Sequence, residues 1–303
     1  MRLILFRSLA FVVSFGRASL ADDTSATPAG TEKVDRPGMD KSQYSFFNPT
    51  PREYLREMNT DRPDKTESPF TVDAGHFQIE MDLVSYTHDR QDSDGAVRRT
   101  DAWAIAPFNL KVGLCNRADL QVALQTWNEV ETSARGPGRA VRQHSRGLGD
   151  LTIRMKYNFW GDDGGPTAFG AIPFVKLPTS QDKLGNNRVE GGLIFPLAVE
   201  LPRGFGMGLM TELDVNRDNA GKGYHFEFVN SITFSHDLVG RLAGYVEFFS
   251  AASSERDADW VGTADLGLTY GLTENVQLDA GVNFGVTKSA DDVNAFAGLS
   301  WRF

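Results

Sequence analysis

Long apolar runs are missing from this sequence. A membrane-spanning helix needs about 18 or more consecutive apolar residues, and beyond the first twenty positions no such run occurs in the 303 residues. Helical spanning is therefore excluded for the body of the chain. Cysteine is almost missing too. Cys115 stands alone, so no intramolecular disulfide can form; with no catalytic or metal-ligating constellation around it, it reads as a small residue beside a turn. Positive charge is in deficit, with 31 Lys and Arg against 40 Asp and Glu for a net −9. Phosphate contacts need clustered Lys and Arg, so nucleic acid is not an expected partner.

What is present starts with an export signal. Met1 and Arg2 supply a positive start, Leu3 to Phe15 an apolar stretch that Arg7 interrupts, and Ser19-Leu20-Ala21 a small-x-small site before Asp22. A signal peptide over 1–21 is expected, and its loss removes three arginines (Arg2, Arg7 and Arg17) and no acid, taking the net charge from −9 to −12. A large exported chain without disulfides must hold itself together by other means, and closing a sheet on itself is one of them.

From Asp22 to about Pro69 the chain is polar and rich in Asp, Thr and Pro, without alternation and with one short helical stretch predicted over Pro51 to Met58. This is an extension, bounded at 22–73. From Gly75 onward the pattern changes to period two, the signature of strands with one apolar and one polar face. Phe77, Ile79, Met81 and Leu83 share one face of the first strand, and Gln78, Glu80 and Asp82 the other. Leu151 to Phe159, Phe205 to Val215, Val276 to Phe284 and Val293 to Phe303 repeat the rule. Weaker segments at Trp103 to Leu114, Leu120 to Glu129, Phe169 to Leu177, Val189 to Leu201, Phe226 to Phe234, Leu242 to Phe249 and Trp260 to Tyr270 bring the number to about twelve. Pro173 and Pro196 interrupt two of them.

The connections alternate in length, as they do in outer-membrane barrels. Short links are expected at Cys115 to Arg117, Gly161 to Gly165, Pro202 to Gly204, His236 to Leu238 and Thr273 to Asn275. Longer polar ones are expected at Asp89 to Arg99, Thr132 to Arg146, Thr179 to Arg188, Arg217 to Gly223, Ser253 to Ala258 and Lys288 to Asp291. The fold predicted is all-β: a transmembrane antiparallel up-and-down barrel of about twelve strands over 74–303, with both termini on the short-turn side, facing the periplasm. A soluble periplasmic β-sandwich or lipid-binding protein shares the alternation. Two features separate them. Small and amide residues (Gly281, Asn283, Gly298, Ser300) sit on the polar faces, and aromatics gather at both strand ends. Trp103, Trp127 and Trp260 lie near the long loops, and Phe159, Trp160, Tyr270, Trp301 and Phe303 near the short turns, as two interfacial girdles require.

The alternating C-terminus ends on an aromatic, so Trp301 and Phe303 are the expected assembly signal, read by the barrel-assembly machinery. The motifs Thr60-Asp61-Arg62-Pro63-Asp64, Glu67-Ser68-Pro69, Ala74 to Glu80 and Ile172 to Thr179 together resemble the bacterial outer-membrane transporter family of the MetA-pathway of phenol degradation type, over roughly 60–303. The resemblance implies a barrel that moves small molecules, aromatic or hydrophobic, across the outer membrane.

Polar-face positions are the expected lumen lining: Glu80, Asp82, Arg154, Lys156, Glu212, Asp214, Glu227, Glu247, Asp279 and Arg302, with Asp150, Asp265, Lys111 and Arg241 beside them. Acids outnumber bases among these, which would favour cations. Thr60, Asp61, Arg62 and Asp64 precede the first strand, and the segment is expected either to enter the mouth as a plug or to remain a solvated linker. For Arg62, a charge-assisted contact to Glu80, Asp82 or a neighbouring carboxylate is expected. No enzyme is predicted: His76, His88, His144, His225 and His236 lie near strand ends with no orienting partner evident. No cofactor or metal is expected either, since Asp92-Ser93-Asp94-Gly95 has only half the spacing of a calcium loop. A structural or adhesin-like barrel is the remaining alternative. The expected surroundings are outer-membrane lipid and a small-molecule substrate.

Overall fold

The computed structural model describes residues 40–93, 96–136, 139–219 and 223–303. The expected signal peptide, residues 22–39 of the extension and Asp94-Gly95 lie outside the described residues. Fifteen strand segments follow in order: β1 (Phe77–Ser93), β2 (Ala96–Ile105), β3 (Phe108–Cys115), β4 (Ala118–Leu124), β5 (Trp127–Gly136), β6 (Arg139–Gly147), β7 (Leu151–Trp160), β8 (Thr167–Leu177), β9 (Glu190–Leu201), β10 (Phe205–Arg217), β11 (Tyr224–Val239), β12 (Leu242–Ser253), β13 (Val261–Thr273), β14 (Val276–Gly285) and β15 (Val293–Arg302).

Three pairs of segments are single passes with a kink. β2 runs into β3 through Ala106, at φ 54, and Pro107; β4 runs into β5, and β6 into β7. Twelve antiparallel passes result, each paired with its sequence neighbours. The last pass closes on the first, from Gln78 opposite Arg302 to His88 opposite Val293. Phe77 and Phe303 seal the seam by exchanging backbone hydrogen bonds, Phe77 N to Phe303 O at 3.2 Å and Phe303 N to Phe77 O at 2.9 Å. Closure pairs the first pass with the last, the condition for a sheet to sit in lipid, and leaves β6, in an outside hairpin, with β5 as its one strand neighbour.

Burial is inverted relative to a soluble sandwich. The largest fully buried side chains include Lys156, Gln78, Gln121, Glu80, Asn109 and Asn158, whereas Leu83, Met155, Tyr157, Phe159, Leu213, Phe228, Val246, Leu266 and Trp301 are exposed. A water-soluble chain buries its aliphatic side chains and almost never a lone Lys or Glu. This apolar belt is one for lipid, and the soluble β-sandwich is set aside. The expected faces of β1, β7, β10, β14 and β15 follow this inside-out rule, with a refinement in β1. A register shift between Asp82 and Val84 places Leu83 and Val84 both outside, so the inward positions change parity from Gln78, Glu80 and Asp82 to Ser85, Thr87 and Asp89.

Several details differ from the expectation. The first two outside connections are mostly paired strand, Asp89 to Ser93 against Ala96 to Thr100 and Asn128 to Gly136 against Arg139 to Gly147. Outside the lipid neither face of a hairpin has to be apolar, so alternation fades there while pairing continues. The short link expected at His236 to Leu238 is strand, and the turn lies at Gly240-Arg241, where Gly240 adopts φ 60. Pro51 to Met58 holds only a 3-10 turn, Arg52–Tyr54. Pro173 and Pro196 do not end their strands. The ladders skip a stretch beside each, between Arg154 and Tyr157 on one side and between Phe169 and Ile172 on the other, where proline has no N–H to donate.

Candidate functional site

Inside the barrel, the chain ahead of β1 does not stay at the mouth. It enters past Gly113, where an added Cβ would lie 2.1 Å from the Asp73 carbonyl oxygen, so only glycine lets the backbone by. Thr60, Asp61, Arg62, Asp64, Thr66, Glu67, Ser68, Val72 and Asp73 are buried, and residues 59–73 touch wall positions around most of the circumference.

Asp61 is the centre of this inner segment. Its carboxylate accepts from Lys111 Nζ at 2.5 Å, Lys156 Nζ at 2.6 Å and the Ser68 amide at 3.1 Å, while its own amide donates to Glu80 Oε2 at 3.0 Å. Lys111 also pairs with Glu80 at 2.5 Å. Burial disfavours the Asp61 carboxylate, but the Lys111 and Lys156 ammoniums outweigh that penalty and hold its carboxyl below the ordinary range. Arg62 forms a fork on Asp279, with Nε to Oδ2 at 3.1 Å and Nη2 to Oδ1 at 2.7 Å, and reaches Asp82 with Nη1 at 2.6 Å. Its guanidinium carbon lies 5.6 Å from the Phe296 ring centre.

Lys65 reaches Asp265 at 3.1 Å and lies 4.8 Å from the Phe249 ring centre. Thr66 Oγ1 donates to Glu247 at 2.6 Å and shares a 2.7 Å hydrogen bond with Ser231. Glu67 pairs with Arg154, Asn158 donates to the Pro69 carbonyl at 2.9 Å, and the Val72 amide donates to Asp119 Oδ2 at 3.0 Å. At the short-turn rim Arg56 bridges Asp73 at 3.0 Å and Asp162 at 2.6 Å, and Arg302 donates to the Arg56 carbonyl at 2.7 Å.

Beyond this segment, toward the long-loop rim, lies a cavity of ≈ 220 Å³, with Leu184 and Gly185 of the 178–189 connection in its wall. A smaller one of ≈ 100 Å³ adjoins it, sharing Gln125, Leu184, Asn283 and Asn294.

Over residues 60–303 the sequence matches the family described as "Putative MetA-pathway of phenol degradation". The chain belongs to this family. No curated protein matches the sequence. Among solved structures, an outer membrane channel from Pseudomonas putida F1 aligns at a TM-score of 0.54 and 14% identity, covering 80% of this chain and 99% of that one. The monoaromatic hydrocarbon channel TodX aligns at 0.45 and 12% identity, with coverages of 75% and 90%. The translocator domain of the autotransporter NalP from Neisseria meningitidis aligns at 0.47 and 10%, with coverages of 75% and 88%. At 14% identity the likeness to the Pseudomonas putida F1 channel speaks for the fold alone, a closed antiparallel barrel.

In this member of the family, the side chains of Glu80, Asp82, Arg154, Lys156, Glu247 and Asp279 meet the inner segment, and those of Glu212, Asp214 and Glu227 line the larger cavity. Arg302 is buried at the short-turn rim. Arg62 reaches Asp82 and Asp279, and Glu80 goes to Lys111 instead. Arg241 is not in the lumen: it sits exposed at the Gly240-Arg241 turn and donates to the Leu272 carbonyl. Asp92 pairs with Arg90 at 3.2 Å. Sequence reasoning missed Asn109, Asp119 and Gln121, all buried, and the contributions of Lys65, Thr66 and Glu67. For Asp119 and Gln121 the signal was there, since they alternate with Leu120, Val122 and Leu124.

Proposed function

We propose that this chain is an outer-membrane channel for small molecules of aromatic or hydrophobic character, passive and not an enzyme, with residues 59–73 acting as a polar plug in the short-turn half of its lumen. The observation that carries the reading is the combination of an apolar outer belt with a charged interior that holds both a cavity and a non-strand segment of its own extension. A lipid-facing barrel whose inside is polar offers a path for solutes, and family membership favours a small aromatic cargo. The described start of the extension, where Lys41 pairs with Asp163, and the C-terminal Phe303 lie at the short-turn rim, which we assign to the periplasm, with 22–73 as the extension and 74–303 as the barrel. Trp301 and Phe303 serve as the assembly signal in this reading.

Planar-bilayer recordings of the full chain and of a variant lacking 22–68 test it. The truncated form should conduct more, with a preference for cations set by the excess of lumen acids. Two preparations equally closed, though folded, would favour a structural or adhesin-like barrel.

A further inference from the structure

Before the extension enters the lumen it makes a tight turn that carries two phenylalanines. Ser45 and Asn48 exchange backbone hydrogen bonds, Ser45 N to Asn48 O at 2.9 Å and Asn48 N to Ser45 O at 3.0 Å, so Phe46 and Phe47 are the central residues of the bend. Such positions favour Gly, Asn, Asp, Ser and Pro, whose backbone freedom, fixed φ or short polar side chains suit a turn. Two aromatics there do nothing for the bend, and Phe47 is 91% exposed, more than any other large apolar side chain among the described residues. A local rule broken without local gain points to what lies beyond the turn.

The turn is pinned to the rim on both flanks. Phe46 N donates to the Leu114 carbonyl at 2.8 Å and Thr50 N to the Ala74 carbonyl at 2.9 Å, while Lys41 pairs with Asp163 at 3.2 Å. The neighbours of the rings give their direction. Phe47 lies 5.0 Å from Phe46, Phe46 6.3 Å edge-on from Phe77, Phe77 5.8 Å in a stack on Phe303, and Phe303 4.9 Å from Trp301. Phe77 shares the outward face of β1, and Trp301 and Phe303 are exposed on the outside of the wall. This row fills a gap. Around the short-turn rim β15 and β1 bring Trp301, Phe303 and Phe77, and β7 brings Tyr157, Phe159 and Trp160, but β3 and β4 between them have no aromatic from Lys111 to Leu124. Ser45 lies opposite Cys115, the last residue of β3, so the turn stands at that bare sector.

We propose that Phe46 and Phe47 are a membrane anchor, which enters the lipid at the short-turn border and completes the aromatic girdle where β3 and β4 leave it open. Apolar side chains of segments that lie along a bilayer reach roughly 5–10 Å into the boundary of headgroups and acyl chains, the depth at which barrel girdles sit. Lipid is the occupant because the belt is continuous: its wall half, Trp301 and Phe303, already faces lipid, and a protein seated on Phe47 alone would leave that half uncovered. The inner segment is then held from both ends, by lipid at 44–48 and by β1 at Ala74, so 59–73 leaves the lumen as a loop and not as a free tail. The inference rests on the membrane-barrel reading and goes beyond it by placing part of the extension on the lipid side of the wall.

Depth-sensitive fluorescence of the full chain in phosphatidylcholine vesicles tests it. In a Cys115→Ser background, Phe47→Cys, Glu53→Cys and Val246→Cys each carry an environment-sensitive dye; Glu53 is an exposed polar position of the same extension, and Val246 an exposed apolar one on the outer wall. The dyes at positions 47 and 246 should emit to the blue of the one at 53 and be quenched several-fold more by nitroxide-labelled phosphatidylcholine than by aqueous iodide, with the reverse at 53. A wet position 47 beside a lipid-quenched position 246 would overturn the anchor and leave the barrel reading standing. Wet positions at both would sink the barrel reading itself, and the anchor with it. Lipid quenching at 47 that disappears as protein density in the vesicles rises would make a second copy the cover, which also overturns the inference. Because the dye is itself apolar, Asn48→Cys is labelled in chains with both rings and with Phe46→Ser and Phe47→Ser. Nitroxide quenching there should fall several-fold when the rings are lost; quenching that stays the same would assign the depth to the dye and overturn the anchor.

Discussion

Asp61 is the residue whose loss should be felt most. Asp61→Asn keeps the shape of the side chain and removes the charge between Lys111 and Lys156. Lys111 retains Glu80 at 2.5 Å, so the loss falls chiefly on Lys156, whose fully buried ammonium gives up its direct ion-pair partner and keeps only the charges of Asp119 and Glu67 nearby. Stripping one partner from a buried ion pair costs roughly 3–5 kcal/mol, and with Lys111 still matched the lower end applies. At about 1.4 kcal/mol per factor of ten, the undocked population of the inner segment should rise roughly a hundredfold. Single-channel open probability reads this directly, and so does thiol labelling of Thr66→Cys in a Cys115→Ser background, because Thr66 is fully buried when docked. The pH dependence has a definite sign. The docked Asp61 carboxyl is held below its ordinary range, so its contribution is complete above the free value of about 3.9 and is lost only as pH falls through the lower docked value. Neutral and mildly acidic media should leave the latch closed. Wild-type open probability and wild-type labelling in Asp61→Asn, alongside an open 22–68 deletion, would refute the assignment of Asp61 as the latch.

Other perturbations probe the same arrangement from the wall. Gly298→Ala would place a methyl 2.0 Å from Arg62 Nη2, expelling the fork from Asp279; open probability should rise as in Arg62→Ala, and the double variant should add little to either. A Cβ on Gly208 would lie 3.8 Å from Thr66 Cβ, the mean Cβ separation of disulfides at about 3.8 Å. In a Cys115→Ser, Thr233→Ser background, which removes the methyl 2.7 Å from that Cβ, Thr66→Cys with Gly208→Cys should oxidise in folded protein and hold the channel closed until reduced. Deleting Phe303 removes the backbone exchange with Phe77 and their 5.8 Å ring stacking; heat-modifiable mobility should show less folded barrel with export intact, and unchanged insertion would make the terminal aromatic incidental.

The barrel was legible because lipid imposes a strict rule on every pass: outward positions must be apolar, so period two survives even in β7 and β15, where basic and small residues fill the other face. Legibility ended where that pressure ends. Hairpins beyond the lipid, such as Asp89 to Ser93 against Ala96 to Thr100, pair without alternating and read as loops. Placement of the inner segment was beyond sequence periodicity, because Asp61 and Lys156 are 95 residues apart and only the closed wall brings them together. Arg62 was readable as a fork seeking carboxylates, but its choice of Asp279 over Glu80 depends on a strand 217 residues away.

An outer face committed to lipid leaves the lumen to polar residues, so a segment that fills it must answer charge with charge, and 59–73 does so with Asp61, Arg62, Lys65 and Glu67 in turn. Such a fit responds to salt in the sense opposite to an apolar plug. Opposite charges separated into water are stabilised by screening, whose length falls from about 10 Å at 0.1 M to about 3 Å at 1 M; an apolar plug would bind no less firmly in a salt that promotes burial. Docked pairs are dry and little affected, so the shift comes from the released state. Raising KCl from 0.1 to 1 M should therefore increase the open probability of the full chain, read as dwell times so that current amplitude does not enter. The 22–68 deletion, with most of the segment gone, should show no such change. A full chain that closes more tightly in high salt would mean that its inner segment is held by apolar contact, and that the ion pairs of Asp61 and Arg62 contribute little to its retention.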